Sequence, residues 1–299
     1  MHSDPSSCIL YETMNDRVSL YEIHLAVLLF GVAGLFGKWL SISPFTIVLG
    51  RVLFAALSLA IILLISGRKK SLFPGEDTLY FILLGFVLSV HWVSFFKSIQ
   101  ISTVAVGLLS FSTYPVFTTF LEPLFTKERI VKLNIFLSLF CLFGVFLIIP
   151  KFDLQNSTYM GVLWGVFSGF TFSLLTIINR RLAQKHSSLV IAFNQNFFST
   201  LFLIPLLFFI SFPLTGKNIL LLVILGVVCT ALSHTLFIKG MKNIKAQTAS
   251  LIHTLEPVYG ILFAFLFLRE TPSNRTLLGG MVILLGQVLI AYTFIKRKK

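Results

Sequence analysis

The sequence predicts an all-α integral membrane protein of ten transmembrane helices, arranged as two inverted five-helix repeats. Three observations carry this prediction. Long runs are almost free of charge, basic residues gather in alternate links, and the chain resembles itself at a fixed offset of 142 residues.

Of 299 residues, 56% are hydrophobic and 12% charged. A soluble domain is about 45–50% apolar and roughly 25% charged. About 20 apolar residues suffice to cross a bilayer, and ten runs of roughly that length can be marked. They cover 23–40, 44–66, 79–98, 102–124, 134–149, 159–178, 189–210, 219–240, 246–268 and 277–295. The links are short, so no soluble domain is inserted. Residues 1–22 read as a polar cytoplasmic N-terminal tail. They lack the basic start and apolar centre of a signal peptide, so the first run is retained as a span.

The net charge of +13 would point to nucleic acid in a soluble protein. Here the cations lie in short links, where they set orientation instead. Arg68-Lys69-Lys70, Lys127, Arg129, Lys132, Arg180, Arg181, Lys185, Lys239, Lys242, Lys245 and the terminal Lys296-Arg297-Lys298-Lys299 share one side. Lys151, Lys217, Arg269 and Arg275 stand on the other. Positive residues favour the cytoplasm, which puts both termini inside. Membrane lipid is therefore an expected partner and nucleic acid is not. Cys8, Cys141 and Cys229 form no CxxC pair, so neither a disulfide nor a metal site is expected.

Residues 91–150 align without a gap on 233–292. Lys97 meets Lys239, Pro115-Val116 meets Pro257-Val258, Glu128 meets Glu270 and Gly144 meets Gly286. Apolar matches are cheap in a membrane protein, but matched Lys, Pro, Glu and Gly at one offset are not. The repeats are read as 23–149 and 159–295. Five spans per copy force the second copy upside down. Inverted repeats favour transport, because one half rocking on the other alternates access to a midplane site.

These residues resemble the EamA family of the drug/metabolite transporter superfamily. Each half is similar to its pattern of a Pro within the fourth span and a Glu past that span's end: Pro115 with Glu128, and Pro257 with Glu270. Thr126-Lys127-Glu128-Arg129 departs from the usual Gly-Glu or Arg-Glu step. The resemblance implies ten helices around a central cavity. It also implies movement of metabolites such as amino acids across a bacterial inner membrane.

The candidate substrate contacts are polar residues inside the spans. Ala246, Ala249, His253, Glu256, Gly260 and Ala264 form a small or polar stripe on the ninth span. Glu256 lies ten residues into that span, or ~15 Å deep. A carboxylate there must be protonated, paired or hydrated. Pro257 follows it and removes a helical N–H. Tyr114 is the repeat partner of Glu256, and Pro115 is the matching kink. His91 and Trp92 on the third span face the same question as His234 on the eighth, which also carries Thr230 and Ser233. Asn194 and Gln195 begin a polar triplet in the seventh. Arg51, ~10 Å deep, is read as holding a substrate carboxylate or pairing with Glu256.

No HExxH, GxSxG or Mg²⁺-diphosphate motif is present, and no Walker A. The expectation is a secondary transporter rather than an enzyme, needing no cofactor, with protons as a candidate coupling ion. An acid, a base, imidazoles and amides suit a small zwitterion such as an amino acid or its derivative. The alternatives are a multidrug or apolar-cation exporter of the same fold, and a multi-span membrane enzyme.

Overall fold

In a computed structural model, residues 5–67, 75–125, 132–209, 215–240 and 252–297 are described. Among them there is no strand. The helices are α1 (Pro5–Trp39), α2 (Pro44–Ile65), α3 (Thr78–Ile101), α4 (Val104–Phe111), α5 (Tyr114–Phe125) and α6 (Lys132–Ile148). They continue as α7 (Ser157–Leu182), α8 (Ser188–Leu203), α9 (Gly216–Gly226), α10 (Ser233–Gly240), α11 (Glu256–Phe263) and α12 (Asn274–Arg297). Among the described residues, seven helical stretches are long and apolar enough to cross a membrane, and three shorter apolar helices accompany them. The protein is a multi-pass helical membrane protein.

Helix starts follow local chemistry. Pro44 opens α2, where its missing N–H costs nothing. Thr103, Asn156, Ser187 and Thr215 each accept a bond from a first-turn N–H of α4, α7, α8 and α9. No breaker separates Pro5 from Trp39, and α1 accordingly runs through residues that read as a polar tail. The basic clusters Arg68-Lys69-Lys70, Lys127 to Arg129 (with Glu128), Lys242, Lys245 and Lys298-Lys299 lie outside the described residues, as do Ala246 and Ala249.

The predicted fourth and ninth spans are broken. Helix α4 ends and α5 begins around Ser112-Thr113, and a turn at Thr254-Leu255 precedes α11. The two breaks are equivalent at the repeat offset. In each, the proline sits in the first turn of the resumed helix, and an N–H just before it bonds three residues back: Thr113 to Ser110 (3.2 Å) and Leu255 to Ile252 (3.0 Å). Proline supplies no N–H to the carbonyl four residues earlier, so the interruption falls on its N-terminal side. The predicted eighth span is interrupted by a π-helical turn, Val227–Leu232.

Helix α1 packs on α10 and α11, α3 on α7 and α8, α2 on α8 and α9, α4 and α5 on α7, and α6 on α12. Small residues permit the closest crossings. A Cβ on Gly144 would stand 2.8 Å from Ile283, and one on Gly286 would stand 2.4 Å from Cys141. Gly279 in turn lies against Ile148. High numbers of α6 thus meet low numbers of α12, and the two helices run antiparallel. Outward faces are apolar, as Leu57, Ile61, Ile65, Phe136, Leu139 and Phe143 illustrate. Arg51, His91, Asn194, Gln195, His253 and Glu256 are all buried.

Candidate functional site

The site is built around Arg51. This side chain is fully buried, at 0% exposure. Its approach is set by Gly226, where a Cβ would lie 2.7 Å from the Arg51 carbonyl oxygen. The π-helical turn begins one residue later. Within it the Thr230 hydroxyl donates to the Leu225 carbonyl at 2.7 Å, a reach of five residues. That leaves its lone pairs for Arg51, which donates from Nε at 3.0 Å and from Nη2 at 2.8 Å. The guanidinium also lies 3.5 Å from the centre of the Trp92 ring, within cation–π range. Nη1 and the Trp92 indole Nε1 are buried without a hydrogen-bond partner.

Trp92 packs on His234, with ring centres 6.1 Å apart. Gln195 Nε2 donates to His234 Nδ1 at 2.9 Å in the tautomer with that nitrogen unprotonated. These two residues help line a cavity of about 40 Å³ whose wall includes Phe30, Phe172, Phe237 and Asn179. Such a space admits water but falls well short of the roughly 300 Å³ of a small-molecule site.

The second polar pair sits at the break before α11. His253 Nε2 lies 3.2 Å from Glu256 Oε2, both side chains being nearly inaccessible. Glu256 occupies the first turn of α11, where a helix N-terminus favours an acid. Gly31 lets α1 close over this turn; a Cβ there would stand 3.1 Å from the Glu256 carbonyl oxygen. Tyr114, from the equivalent break, stands edge-on to His253 at 5.1 Å. Phe172 and Phe237 flank the same imidazole at 5.4 Å. Phe30 joins the two clusters, lying 5.3 Å from His234 and 5.8 Å from His253.

Not every predicted residue converges equally. His91 Nδ1 lies 3.0 Å from Ser168 and ties α3 to α7, although its ring borders Trp92 at 4.7 Å. Asn194 donates to the Val190 carbonyl one turn back, at 2.9 Å. Of the two readings of Arg51, pairing with Glu256 is not realised as an ion pair. Glu256 has a partner three residues back, across the break, and Arg51 reaches Thr230 across to the π-helical turn.

A family model described as the EamA-like transporter family matches residues 21–149 and 159–292. The chain belongs to the EamA-like transporter family. It is 24% identical over 303 residues to the uncharacterized transporter YxxF of Bacillus subtilis, covering all of this chain and 95% of that relative. It is 31% identical over 199 residues to an uncharacterized transporter of Archaeoglobus fulgidus, spanning 67% of this chain and 71% of the relative. Solute carrier family 35 member G1 of Mus musculus is 25% identical over 291 residues, with 90% and 77% covered. A crystal structure matches with a TM-score of 0.66 at 16% identity, covering 95% of this chain and 97% of that one, which shows a shared fold.

In this EamA-like transporter the residues missed by sequence reasoning are mostly aromatic. Phe30, Phe111, Phe172 and Phe237 surround the histidines, but hydropathy cannot separate an inward Phe from the many facing lipid. Gln287 of α12 was missed as well. It is buried and donates to the Ser112 carbonyl at the first break. A lone amide in an apolar run was the available signal.

Proposed function

We propose that this EamA-like transporter is a secondary transporter that moves a small zwitterionic metabolite, an amino acid or its derivative, across a bacterial inner membrane by alternating access. Two inverted five-helix halves, 23–149 and 159–295, make up its ten spans, with both termini cytoplasmic. The observation that carries the reading is the reciprocal contact of α6 and α12. Gly144 faces Ile283 while Gly286 faces Cys141, and each of these pairs is the other's image at the repeat offset. Residues exchanging roles across one contact is the mark of a two-fold axis. Because the helices run antiparallel, the axis lies across them, as inversion requires. Other packing supports it: α3 on α7 is matched by α10 on α1, and α3 on α8 by α9 on α2.

Under this reading Arg51, Trp92, Gln195 and His234 contact substrate from one side of the aromatic network, and His253, Glu256 and Tyr114 from the other. His91 and Asn194 hold the neighbouring backbone. Pro115 and Pro257 allow the broken helices to flex as the halves part, which the small cavity requires. The ring-lined cavity supports a second reading, export of an apolar cation. Counterflow in proteoliposomes tests both, using each common L-amino acid and, separately, tetraphenylphosphonium. Accumulation of one or more amino acids is expected. Accumulation of tetraphenylphosphonium alone would replace the first reading by the second.

A further inference from the structure

The buried guanidinium of Arg51 has a neutral neighbour where a counter-charge would be expected. An arginine stays protonated in proteins. Burying its charge is unfavourable unless the charge is paired and hydrogen-bonded. Among the described residues, no carboxylate forms an ion pair with it. Glu256 is engaged by His253. The Thr230 hydroxyl occupies only the Nε and Nη2 side of the fork. Nη1, at the terminal edge, is left over, and the adjacent Trp92 Nε1 is a second leftover group of the same polarity. Guanidinium and indole nitrogens can only donate, so neither can satisfy the other. Both call for an acceptor, and the net positive charge calls for an anionic one.

The position fits an inner end of the substrate path. Leu88 lines the cavity, and Trp92 lies one helical turn further along the same face of α3. His234 also lines the cavity and packs on Trp92. A cavity lengthened by one turn of α3 past His234 would therefore reach Trp92 and the guanidinium behind it. The aim of the guanidinium is fixed from outside the path, by a hydroxyl whose own proton is committed to Leu225 through the π-helical turn.

Resting on the transporter reading above, we propose that the Arg51–Trp92–Thr230 cluster is the carboxylate-recognising end of the substrate site. Arg51 Nη1 and Trp92 Nε1 donate to the substrate carboxylate, and Thr230 positions the guanidinium. The requirement excludes amines that lack an acid. It therefore makes Arg51 the residue that separates an amino-acid carrier from a carrier of apolar cations.

The test uses the purified full chain and matched probes: each common L-amino acid, its carboxamide, and the amine left by decarboxylation. Binding is read as a shift in thermal unfolding and in tryptophan fluorescence. At least one acid should bind, with its amide and amine about tenfold to hundredfold weaker, the usual loss when a charged group goes unpaired. Arg51→Gln should erase that preference. Thr230→Val keeps the charge and the volume, and should weaken the acid about tenfold while leaving the amine unchanged. It decides the matter if Arg51→Gln does not fold. Equal binding of acid, amide and amine, no binding of any acid, or unchanged preference in folded Thr230→Val protein would each overturn the proposal. Acid-selective binding without counterflow in proteoliposomes would keep this subsite and sink the transport reading. Counterflow of acids and amines alike would do the reverse.

Discussion

The two helix breaks share a backbone and differ in chemistry. In the first, Phe111 and Tyr114 stack at 5.6 Å beside Pro115. In the second, the same positions hold His253 and Glu256 beside Pro257, with N and O 3.2 Å apart. One copy is aromatic and the other titratable, and they meet at the contact of Tyr114 with His253. Symmetry is kept where the fold needs it, in the breaks and the α6–α12 crossing. It is abandoned at the polar residues proposed to contact substrate. Arg51 follows the same rule: counted from the N-cap residues Ser43 of α2 and Ser187 of α8, its counterpart is the neutral Gln195. Under the proposed alternating access, a symmetric scaffold would serve two opposed conformations, whereas an asymmetric site would bind one asymmetric substrate.

The hardest test of this contrast is to erase it. The double variant His253→Phe with Glu256→Tyr copies the first break into the second. Its packing should survive, because those side chains already fit the equivalent place, while transport should be abolished. Glu256→Gln alone gives a finer answer. The amide can still accept from His253, and it imitates a protonated acid. Uptake driven by a pH gradient should stop if Glu256 carries the coupling proton, with substrate exchange retained. Loss of both activities together with weaker binding would assign Glu256 to the substrate amine. Normal uphill uptake and normal affinity would leave the His253–Glu256 pair as interhelical packing.

Much of this arrangement was legible in the residues. A buried carboxylate beside a proline, and an arginine deep in an apolar run, are costly enough in lipid that both had to face inward. The place of each break followed from proline's missing N–H, although the interruption falls before the ring rather than at it. The Arg51–Glu256 pairing failed for a local reason. His253 and Glu256 are three residues apart and face each other across the break at Thr254-Leu255, and their i, i+3 spacing could have been read directly. The π-helical turn could not. Helical periodicity assumes an even 3.6-residue repeat, and one inserted residue rotates everything after it. Thr230 therefore meets Arg51 only once the structure is known.

A smaller effect is expected from the prolines themselves. Pro115 and Pro257 each withhold one backbone hydrogen bond. Replacing either by Ala lets a continuous helix gain a bond of about 1 kcal/mol, which favours one straight state roughly fivefold. Pro115→Ala and Pro257→Ala should thus slow turnover several-fold, as measured by counterflow, with little change in folded yield. Because the two breaks are equivalent, both should slow it alike. A large effect of Pro257→Ala with none from Pro115→Ala would mean that the asymmetry extends to the moving parts.

The smallest effect lies at the contact between the start of α3 and the end of α7. Asp77, just before α3, contacts His186 at 2.9 Å and Lys185 at 3.4 Å beyond α7. Asp77 is the N-cap residue of α3, and the N-cap residue of α9 is the uncharged Thr215, so α9 has no such link at its start. The hydrogen bond to His186 holds the Asp77 carboxyl below its ordinary range, against a partial burial that raises it, and Lys185 adds to the lowering. A depressed folded value means that the ionised acid stabilises the fold. That contribution is complete above the unfolded value of about 4 and disappears as pH falls through the lower folded one. Asp77→Asn should therefore unfold at a slightly lower temperature than the parent at pH 7. The difference should close as the pH is brought below about 4. Lys185 is half exposed, and exposed ion pairs are weak and screened by salt, so the difference at pH 7 should also narrow in high salt. A gap that persists at low pH would show that Asp77 acts through packing and not through its charge.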